Sequence, residues 1–139
     1  MKKEVLRKKV NPLIFMGVAH RGLHTKDFTE NGMKAFANAI NNNVSFELDI
    51  HLTKDNQLVV CHDSDLIRTT GKSGIIEDLT LKEIKDNYRL FDGGEIPTFK
   101  ELLDFTNERV PMVIELKVYK NNYKALAKKF LEVMKPYKN

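Results

Sequence analysis

Four short motifs carry the chemically active side chains of this 139-residue chain. They are His20-Arg21-Gly22, Glu47-Leu48-Asp49, His62-Asp63 and Glu115-Leu116-Lys117. Each lies at the end of an apolar run, and together they supply imidazoles, carboxylates and cationic groups. Such a set can bind a divalent cation, hold a phosphate and transfer protons. Each residue alone has a structural explanation, but the ordered combination predicts a catalytic site.

Three carboxylates form the predicted metal site. Glu47 and Asp49 are two residues apart in a stretch of alternating polarity, so on a strand they project to one side. Glu115 would add an oxygen ligand from another strand, a set that suits Mg²⁺ or Ca²⁺. Zinc is disfavoured because the chain has no cysteine cluster or histidine triad. Without a cation the carboxylates would repel one another, and the alternative is a solvated strand face paired with lysines.

Two histidines and two basic side chains complete the predicted site. His20 and His62 each follow an apolar run, and because imidazole titrates near neutral pH they are candidates for a general acid and a general base. Arg21 and Lys117 suit phosphoryl oxygens. The alternatives are structural histidines at strand ends and cations on the surface.

The remaining candidate residues are interpreted as structural. His24 lies in a polar loop, and His51 is expected beyond the tip of its strand. The glycines of Gly93-Gly94 and Gly71-Lys72-Ser73-Gly74 lack the preceding strand, the following helix and the spacing of a phosphate loop. They predict turns.

The apolar pattern predicts strands and helices in alternation, and hence an α/β fold with parallel strands. Strands are predicted over residues 13–19, 46–52, 58–61 and 112–118. Helices are predicted over about 30–41 with Thr29 as the cap, after capping boxes at Thr80 and Thr98, and over about 121–135. In such folds the chemistry collects beyond the carboxyl ends of the strands.

A hairpin is predicted to bring a carboxylate and an imidazole together. A turn at Asp55 and Asn56 joins two of the strands. If these two residues form the tip, Asp49 lies directly opposite His62 on the same face. A tighter or looser turn would shift this register.

Composition and charge favour a single soluble domain that binds small molecules. The apolar share of 42% and the charged share of 30% are ordinary for a globular protein. The net charge of +4 comes without a Lys/Arg block interleaved with aromatics, which argues against nucleic-acid binding. Phosphate-bearing small molecules or anionic lipid headgroups fit this mild positive charge better.

The sequence predicts a cytoplasmic location. A single cysteine, Cys61, excludes an internal disulfide framework and fits a reducing compartment. No stretch reaches the roughly 18 apolar residues of a membrane span. Residues 1–10 are basic, as in a signal peptide, but the apolar run after them is short and leads into His20-Arg21 rather than a cleavage site.

These motifs together resemble the glycerophosphodiester phosphodiesterase family. The resemblance runs from Gly17 to Tyr119, with the motifs in one order and with matching spacing. The segments that carry it are Ala-His-Arg-Gly (19–22), Glu-Asn (30–31), Phe-Glu-Leu-Asp-Ile-His-Leu-Thr-Lys-Asp (46–55), Val-Cys-His-Asp (60–63), Arg-Thr-Thr-Gly (68–71), Ile-Pro-Thr-Phe (96–99) and Ile-Glu-Leu-Lys (114–117).

The resemblance implies a TIM-type (β/α) barrel and hydrolysis of glycerophosphodiesters to glycerol 3-phosphate and an alcohol, with one Mg²⁺ or Ca²⁺, in lipid and glycerol metabolism. It matches the metal ligands to Glu47, Asp49 and Glu115, the acid–base pair to His20 and His62, and the phosphate contacts to Arg21 and Lys117. One imidazole would activate the glycerol 2-hydroxyl for attack on phosphorus, and the other would protonate the leaving alkoxide. Water would then open the cyclic phosphate.

The chain is short for such a barrel, which takes about 250 residues. Residues 1–139 are therefore predicted to be one truncated phosphodiesterase domain, with an insertion-like segment at about 64–110. An incomplete barrel exposes strand edges and an apolar face. We expect it to pair with a second copy or with a separate C-terminal half, or else to have poor activity.

Two other functions are consistent with the same residues. A phosphatidylinositol-phospholipase-C-like lyase has a similar barrel and paired histidines, and it would release a cyclic phosphate. A catalytically silent fragment would bind phosphodiesters without turning them over. The headgroup alcohol and the choice between Mg²⁺ and Ca²⁺ are left open by the sequence.

Overall fold

Strands and helices alternate along residues 10–137, the part of the chain that this computed structural model describes. The strands are β1 (Val18–Ala19), β2 (Ser45–Leu52), β3 (Leu58–Val60) and β4 (Met112–Leu116). The helices are α1 (Met33–Asn41), α2 (Ile67–Thr70), α3 (Leu81–Asn87), α4 (Phe99–Thr106) and α5 (Tyr123–Met134). This arrangement confirms the predicted α/β class, with a partial sheet. The basic residues 1–9 lie outside the described part.

Strand β2 is the centre of the sheet. β1 pairs with its beginning in parallel, and β3 pairs with its end in antiparallel orientation. β4 runs parallel to it from Phe46 to Ile50. Because Phe46 also pairs with β1 and Ile50 also pairs with β3, β1 and β3 share the edge opposite β4. The carboxyl ends of β1, β2 and β4 therefore lie at one end of the sheet, where the polar motifs are found.

The main hydrophobic core packs one face of β2 against α1, α4 and α5. Every second residue of β2 enters it, as the alternation of side chains along a strand requires. Its largest fully buried members are Phe36, Phe46, Leu48, Ile50, Phe99, Leu102 and Leu126. Burial of each such side chain contributes roughly 1.5–3 kcal/mol, so this core fixes the position of β2.

A second, smaller core lies on the other side of β3. Val60 joins the main core and its neighbour Val59 joins the second, because side chains alternate along the strand. The other members come from residues 61–96 and are Cys61, Leu66, Ile76, Ile84, Tyr88, Leu90 and Ile96. This segment therefore packs around its own core beside the carboxyl end of the sheet.

The first strand is much shorter than predicted. Pro12–Met16 forms a 3₁₀ helix, and only Val18–Ala19 pairs with the sheet. The side chain of Asn11 accepts a hydrogen bond from the N–H of Leu13 at 3.0 Å, and the proline occupies the first helical position. The expectation of a buried strand over residues 13–19 is therefore wrong, because a capped turn takes up most of that apolar run.

Helix α1 begins three residues later than predicted. Thr29 does not cap it: its hydroxyl accepts a hydrogen bond from the N–H of Asp92 at 3.2 Å, and Gly32 is the N-cap residue. Asn31 has a φ of 54°, which is outside the helical region. Residues 30 and 31 are thus in a loop, where their side chains turn toward the polar motifs.

The hairpin between β2 and β3 is one residue away from the predicted register. The N–H of Cys61 donates to the carbonyl of Asp49 at 3.0 Å, so the prediction that placed His62 opposite Asp49 is wrong. The turn comprises residues 54–56, with Asn56 at a φ of 57°. This three-residue turn, with a left-handed residue at its end, is one residue longer than the predicted two-residue turn and so shifts the pairing by one residue.

The predicted helix starts at Thr80 and Thr98 are confirmed. Each threonine side chain accepts a hydrogen bond from the N–H three residues on, and the glutamate side chain at that position accepts one from the backbone N–H of the threonine. The last helix is also close to its prediction, at Tyr123–Met134. Across residues 10–137, we find no helix with the length and apolar character that a membrane span requires.

The polar face of the sheet also carries exposed apolar side chains. Val18 pairs with Ser45 and Val113 pairs with Glu47, so all four side chains point to the same face. Val18 is 37% exposed and Val113 is 40% exposed. Within the described residues, β4 also has no strand partner on its outer edge. An open edge beside exposed valines is a surface that favours association.

We therefore expect the 139-residue chain to self-associate, with a mass above the 16.1 kDa of one copy in multi-angle light scattering. Val113→Lys should weaken the association by placing a charge on the open face. Leu131→Lys is the matched control, because Leu131 is an exposed apolar residue of α5. A monomer that melts cooperatively at all concentrations would contradict this expectation.

Candidate active site

The pairing of β2 with β4 brings the three predicted carboxylates together. Asp49 and Glu115 are partners in the parallel register, and Glu47 precedes Asp49 by two residues on the same face. One carboxylate oxygen from each residue lies within 4.8 Å of the others. Asp49 is fully buried and Glu115 is exposed, so the cluster opens toward solvent on the side of β4.

Asp49 is held in its ionised form by polar neighbours. The side-chain amide of Asn31 donates to Oδ2 at 3.0 Å, and Lys117 Nζ lies 3.4 Å from Oδ1. Burial alone would raise the pKa of Asp49, but the hydrogen bond from Asn31 and the charge of Lys117 outweigh it and lower the pKa. Oδ1 itself is buried without a hydrogen-bond partner, so this oxygen has an acceptor site to spare.

The surroundings of the cluster shift the pKa of Glu47 in the direction opposite to that of Asp49. Burial and the neighbouring charge of Asp49 raise the pKa of Glu47, although the N–H of Arg21 donates to Oε2 at 3.0 Å. His20 Nε2 lies 4.0 Å from the same oxygen. Two carboxylates of one strand therefore differ in proton affinity, as expected where like charges are held together.

Lys117 is the cation closest to the cluster. Its Nζ donates to Glu115 Oε1 at 2.8 Å and faces Asp49. Burial opposes its charge, but the two carboxylates prevail and raise its pKa. This ammonium and the guanidinium of Arg21, whose Nε lies 3.8 Å from Asp49 Oδ2, balance the charge of the three carboxylates only in part. An all-oxygen donor set with a spare acceptor at Asp49 Oδ1 fits a hard divalent cation such as Mg²⁺ or Ca²⁺.

A tight turn after β1 places His20 and Arg21 beside Glu47. Arg21 has a φ of 57° and Gly22 a φ of 81°, and the N–H of Gly22 donates to the carbonyl of Glu47 at 3.2 Å. A Cβ on Gly22 would lie 3.0 Å from the Cβ of Ala35, so no larger residue fits there without movement. The Nε of Arg21 is buried without a hydrogen-bond partner and lies 3.8 Å from Asp49 Oδ2, so its N–H faces the cluster and is available to an anion there.

His62 approaches the carboxylates from the β3 side. Its Nδ1 is 2.7 Å from Asp63 Oδ1, and its charge is one of the influences that lower the pKa of Asp49. The hairpin register is not the predicted one, yet His62 directly follows Cys61, whose N–H bonds the carbonyl of Asp49. His20 therefore lies beside Glu47 on the β1 side, and His62 follows the residue paired with Asp49 on the β3 side.

His51 supports His62 and does not lie beyond the strand tip as predicted. It is a buried residue of β2, and its Nε2 is 2.9 Å from the backbone carbonyl of His62. Its Nδ1 is 3.2 Å from Glu77 Oε2. Because a carbonyl only accepts hydrogen bonds, Nε2 is the donor to His62, and Nδ1 faces the carboxylate of Glu77. His24, by contrast, is exposed in the loop before α1.

The residue pair Glu30–Asn31 has a role at the site that sequence reasoning did not assign. Asn31 bonds Asp49, and Glu30 Oε2 accepts a hydrogen bond from Arg21 Nη1 at 3.0 Å. The signal was present, because Glu-Asn (30–31) is one of the motifs of the family resemblance. The prediction of a helix from about residue 30 places both residues in the first turn of α1 and misses this role, because α1 begins at Met33.

A profile of the Glycerophosphoryl diester phosphodiesterase family matches residues 20–137. The chain belongs to this family. The matched span includes every residue of the predicted site, and it confirms the resemblance seen in the motifs.

Among relatives, the chain is 36% identical over 128 residues to a glycerophosphodiester phosphodiesterase from Caldanaerobacter subterraneus, covering 86% of this chain and 52% of that protein. It is 35% identical over 134 residues to a lysophospholipase D from Homo sapiens, covering 86% of this chain and 41% of that protein. The chain therefore spans about half the length of these relatives or less.

Solved structures of phosphodiesterases match the fold over most of this chain and about half of their own length. A glycerophosphodiester phosphodiesterase from Thermotoga maritima superimposes with a TM-score of 0.72 at 35% identity, over 86% of this chain and 49% of that one. A phosphodiesterase from Oleispira antarctica, solved in complex with the product sn-glycerol-3-phosphate, gives a TM-score of 0.78 at 26% identity, over 85% and 51%.

The support of His62 by His51 leads to a stability prediction. His51 and Glu77 have side chains only 3% and 7% exposed, so His51→Ala leaves a buried carboxylate without its partner. We expect it to lower the free energy of unfolding by about 3 kcal/mol, measured by urea denaturation. His24→Ala, at an exposed histidine, is the control. The double variant His51→Ala/Glu77→Ala should lose less than the two single effects combined. Equal stability of His51→Ala and His24→Ala would contradict the role of the pair.

Proposed function

We propose that this chain is part of a metal-dependent glycerophosphodiester phosphodiesterase, which hydrolyses glycerophosphodiesters to glycerol 3-phosphate and an alcohol in lipid and glycerol metabolism. The observation that carries the proposal is the cluster of Glu47, Asp49 and Glu115 between two imidazoles. Family membership supports the reaction class. The product bound to the Oleispira antarctica enzyme supports a small glycerol phosphate ligand.

Glu47, Asp49 and Glu115 are the proposed ligands of one Mg²⁺ or Ca²⁺. A bound ion would supply Lewis-acid polarisation of a phosphoryl oxygen. The chain prepares this site by keeping Asp49 ionised through Asn31 and Lys117. Lys117 also holds Glu115, so it orients a proposed ligand as well as being a proposed phosphate contact.

Arg21 and Lys117 are the proposed phosphate contacts. Arg21 is fixed by Glu30 through one Nη, whereas its buried Nε has no hydrogen-bond partner. A phosphoryl oxygen at this Nε would satisfy a donor that otherwise lacks an acceptor. Lys117 Nζ faces Oδ1 of Asp49, whereas Arg21 Nε faces Oδ2, so the two cations would contact a phosphate from two directions.

His20 and His62 are the proposed acid–base pair. The contact of His62 Nδ1 with the ionised Asp63 keeps a hydrogen on that nitrogen and directs Nε2 away from it for proton transfer. Hydrogen bonds from Arg68 hold the pKa of Asp63 well below its usual range, so this carboxylate stays ionised.

The proposed reaction uses these groups in two steps. In the first step, one imidazole removes the proton of the glycerol 2-hydroxyl while the hydroxyl oxygen forms a bond to phosphorus. The other imidazole gives a proton to the leaving alkoxide as the bond between that alkoxide and phosphorus breaks. The cyclic phosphate is then opened by water with the proton roles reversed. In each step one imidazole gains a proton and the other loses one, so the two histidines return to their initial protonation states after both steps.

We further propose that the partial sheet is the first part of a TIM-type barrel. The chain covers about half of relatives that share its fold, and the open edge of β4 is where further strands would pair. A single domain over residues 1–139 with an insertion at about 64–110 belongs to this proposal. The second core supports the first part of the insertion, up to Ile96, whereas Phe99, Leu102 and Val110 pack in the main core. A cytoplasmic location and pairing with a second copy or a C-terminal half belong to the same proposal.

Turnover of glycerophosphocholine tests the function. We expect release of glycerol 3-phosphate that requires Mg²⁺ or Ca²⁺, followed by ³¹P NMR. His20→Ala should lower the rate ~100-fold or more, because it removes a proton-transfer group, whereas the exposed His24→Ala should not. Activity that is unaffected by His20→Ala would refute the assignment. Accumulation of a cyclic phosphate would indicate the lyase, and ligand binding without turnover would indicate a silent binding fragment.

Cation binding tests the metal site separately, without turnover. We expect Ca²⁺ or Mg²⁺ to raise the melting temperature, and Asp49→Asn to remove this shift. Because the pKa of Glu47 is raised, a proton competes with the cation at a higher pH than for an ordinary glutamate, so affinity should fall as the pH is lowered through that pKa and level off above it. Asp27→Asn, at an exposed loop carboxylate, is the control. A shift that survives Asp49→Asn would contradict the site.

A further inference from the structure

Arg68 joins two polar motifs that are far apart in the sequence. It lies on α2, and its guanidinium makes four hydrogen bonds to two carboxylates. Nε and Nη2 donate to the two oxygens of Asp63 at 2.8 and 3.2 Å. Nη1 and Nη2 donate to the two oxygens of Glu30 at 2.5 and 3.1 Å. Four of its five N–H groups are thus used, so the guanidinium has little freedom to reorient.

Both carboxylates that Arg68 holds also contact a proposed functional side chain. Asp63 Oδ1 is 2.7 Å from His62 Nδ1, and Glu30 Oε2 accepts from Arg21 Nη1 at 3.0 Å. Arg68 begins the Arg-Thr-Thr-Gly segment (68–71) of the family resemblance. A single carboxylate therefore separates Arg68 from the proposed acid–base histidine, and another separates it from the proposed phosphate contact.

The second core holds Arg68 in place. Its neighbours Leu66 and Thr69 are buried, and the carbonyl of Thr69 accepts a hydrogen bond from the N–H of Phe91 at 3.1 Å. α2 ends at Gly71, which has a φ of 81°. The backbone on both sides of Arg68 is thus fixed, although its own side chain is 44% exposed.

We propose that Arg68 is a positioning residue that fixes His62 through Asp63 and Arg21 through Glu30, so that the acid–base group and the phosphate contact are held in one arrangement. This inference rests on the proposed function, because it assigns a purpose to the same site. It also gives the 61–96 segment a function: its core holds the arginine that links the two motifs.

The exposure of Arg68 separates this role from a merely structural one. Ion pairs near the surface add little to stability, because water screens them. Removal of Arg68 should therefore leave the fold intact and change mainly the orientation of its partners. A lysine keeps the charge but presents a single ammonium, which cannot replace the two-sided fork.

The side-chain ¹⁵N signals of His62 test the proposal in the full chain. In the wild type we expect a single tautomer with hydrogen on Nδ1. Arg68→Gln and Arg68→Lys should both give averaged signals of two tautomers, while the melting temperature stays near that of the control Arg89→Gln. Arg89 is 49% exposed and pairs with Glu95 in the same segment, and its contacts with Lys85, Tyr88 and Glu95 lie outside the four motifs. Restoration of the wild-type signals by lysine would show that charge alone suffices and would overturn the proposal.

Binding of inorganic phosphate in the presence of Mg²⁺ provides the second measurement. We expect Arg68→Gln to weaken it about tenfold, as is typical when a group that orients a ligand-binding residue is removed, and Arg89→Gln to leave it unchanged. Unchanged His62 signals in both Arg68 variants would refute the inference, whatever the phosphate result. If Arg68→Gln does not fold, the His62 signals of Arg68→Lys alone decide whether Arg68 is a positioning residue. Failure of the wild type to bind phosphate would count against the proposed function, while the His62 signals would still decide the role of Arg68.

Discussion

The parallel register of β2 and β4 forces like charges together, and the rest of the site follows from this constraint. Asp49 and Glu115 are paired in the sheet, and Glu47 has the same side-chain direction. Their mutual repulsion is opposed by Lys117 and by the amide of Asn31. The sheet tolerates the arrangement because the opposite face of β2 is buried in the main core, which fixes the strand independently of its charges.

Two layers of contact surround these carboxylates. The side chains that face the cluster, among them His20, Arg21 and His62, come from loops that follow strands. Behind them lie groups that only hold others, such as His51 under His62 and Glu30 beside Arg21. The small second core carries part of this outer layer. A segment that looks like an appendage to the sheet is thus connected to the site by hydrogen bonds.

The sequence predicted the elements with strong periodicity or a side-chain cap, such as β2 and the helices after Thr80 and Thr98. It failed where a local contact competes with the pattern. Residues 13–19 read as a buried strand, but Asn11 and the following proline turn most of them into a 3₁₀ helix. The members of the carboxylate cluster were predictable from spacing and family resemblance, whereas the buried Glu77 was not, since its partner is distant in the sequence.

Two non-glycine residues of the site, Arg21 and Asn31, adopt left-handed backbone conformations with φ of 57° and 54°. Such strain at a side chain larger than glycine costs on the order of 1 kcal/mol. A glycine would relax the backbone at either position, yet it would delete the guanidinium that meets Glu30 or the amide that meets Asp49. The contacts with Glu30 and Asp49 therefore compensate for the left-handed backbone at these two positions, where glycine is the residue that the backbone alone would favour.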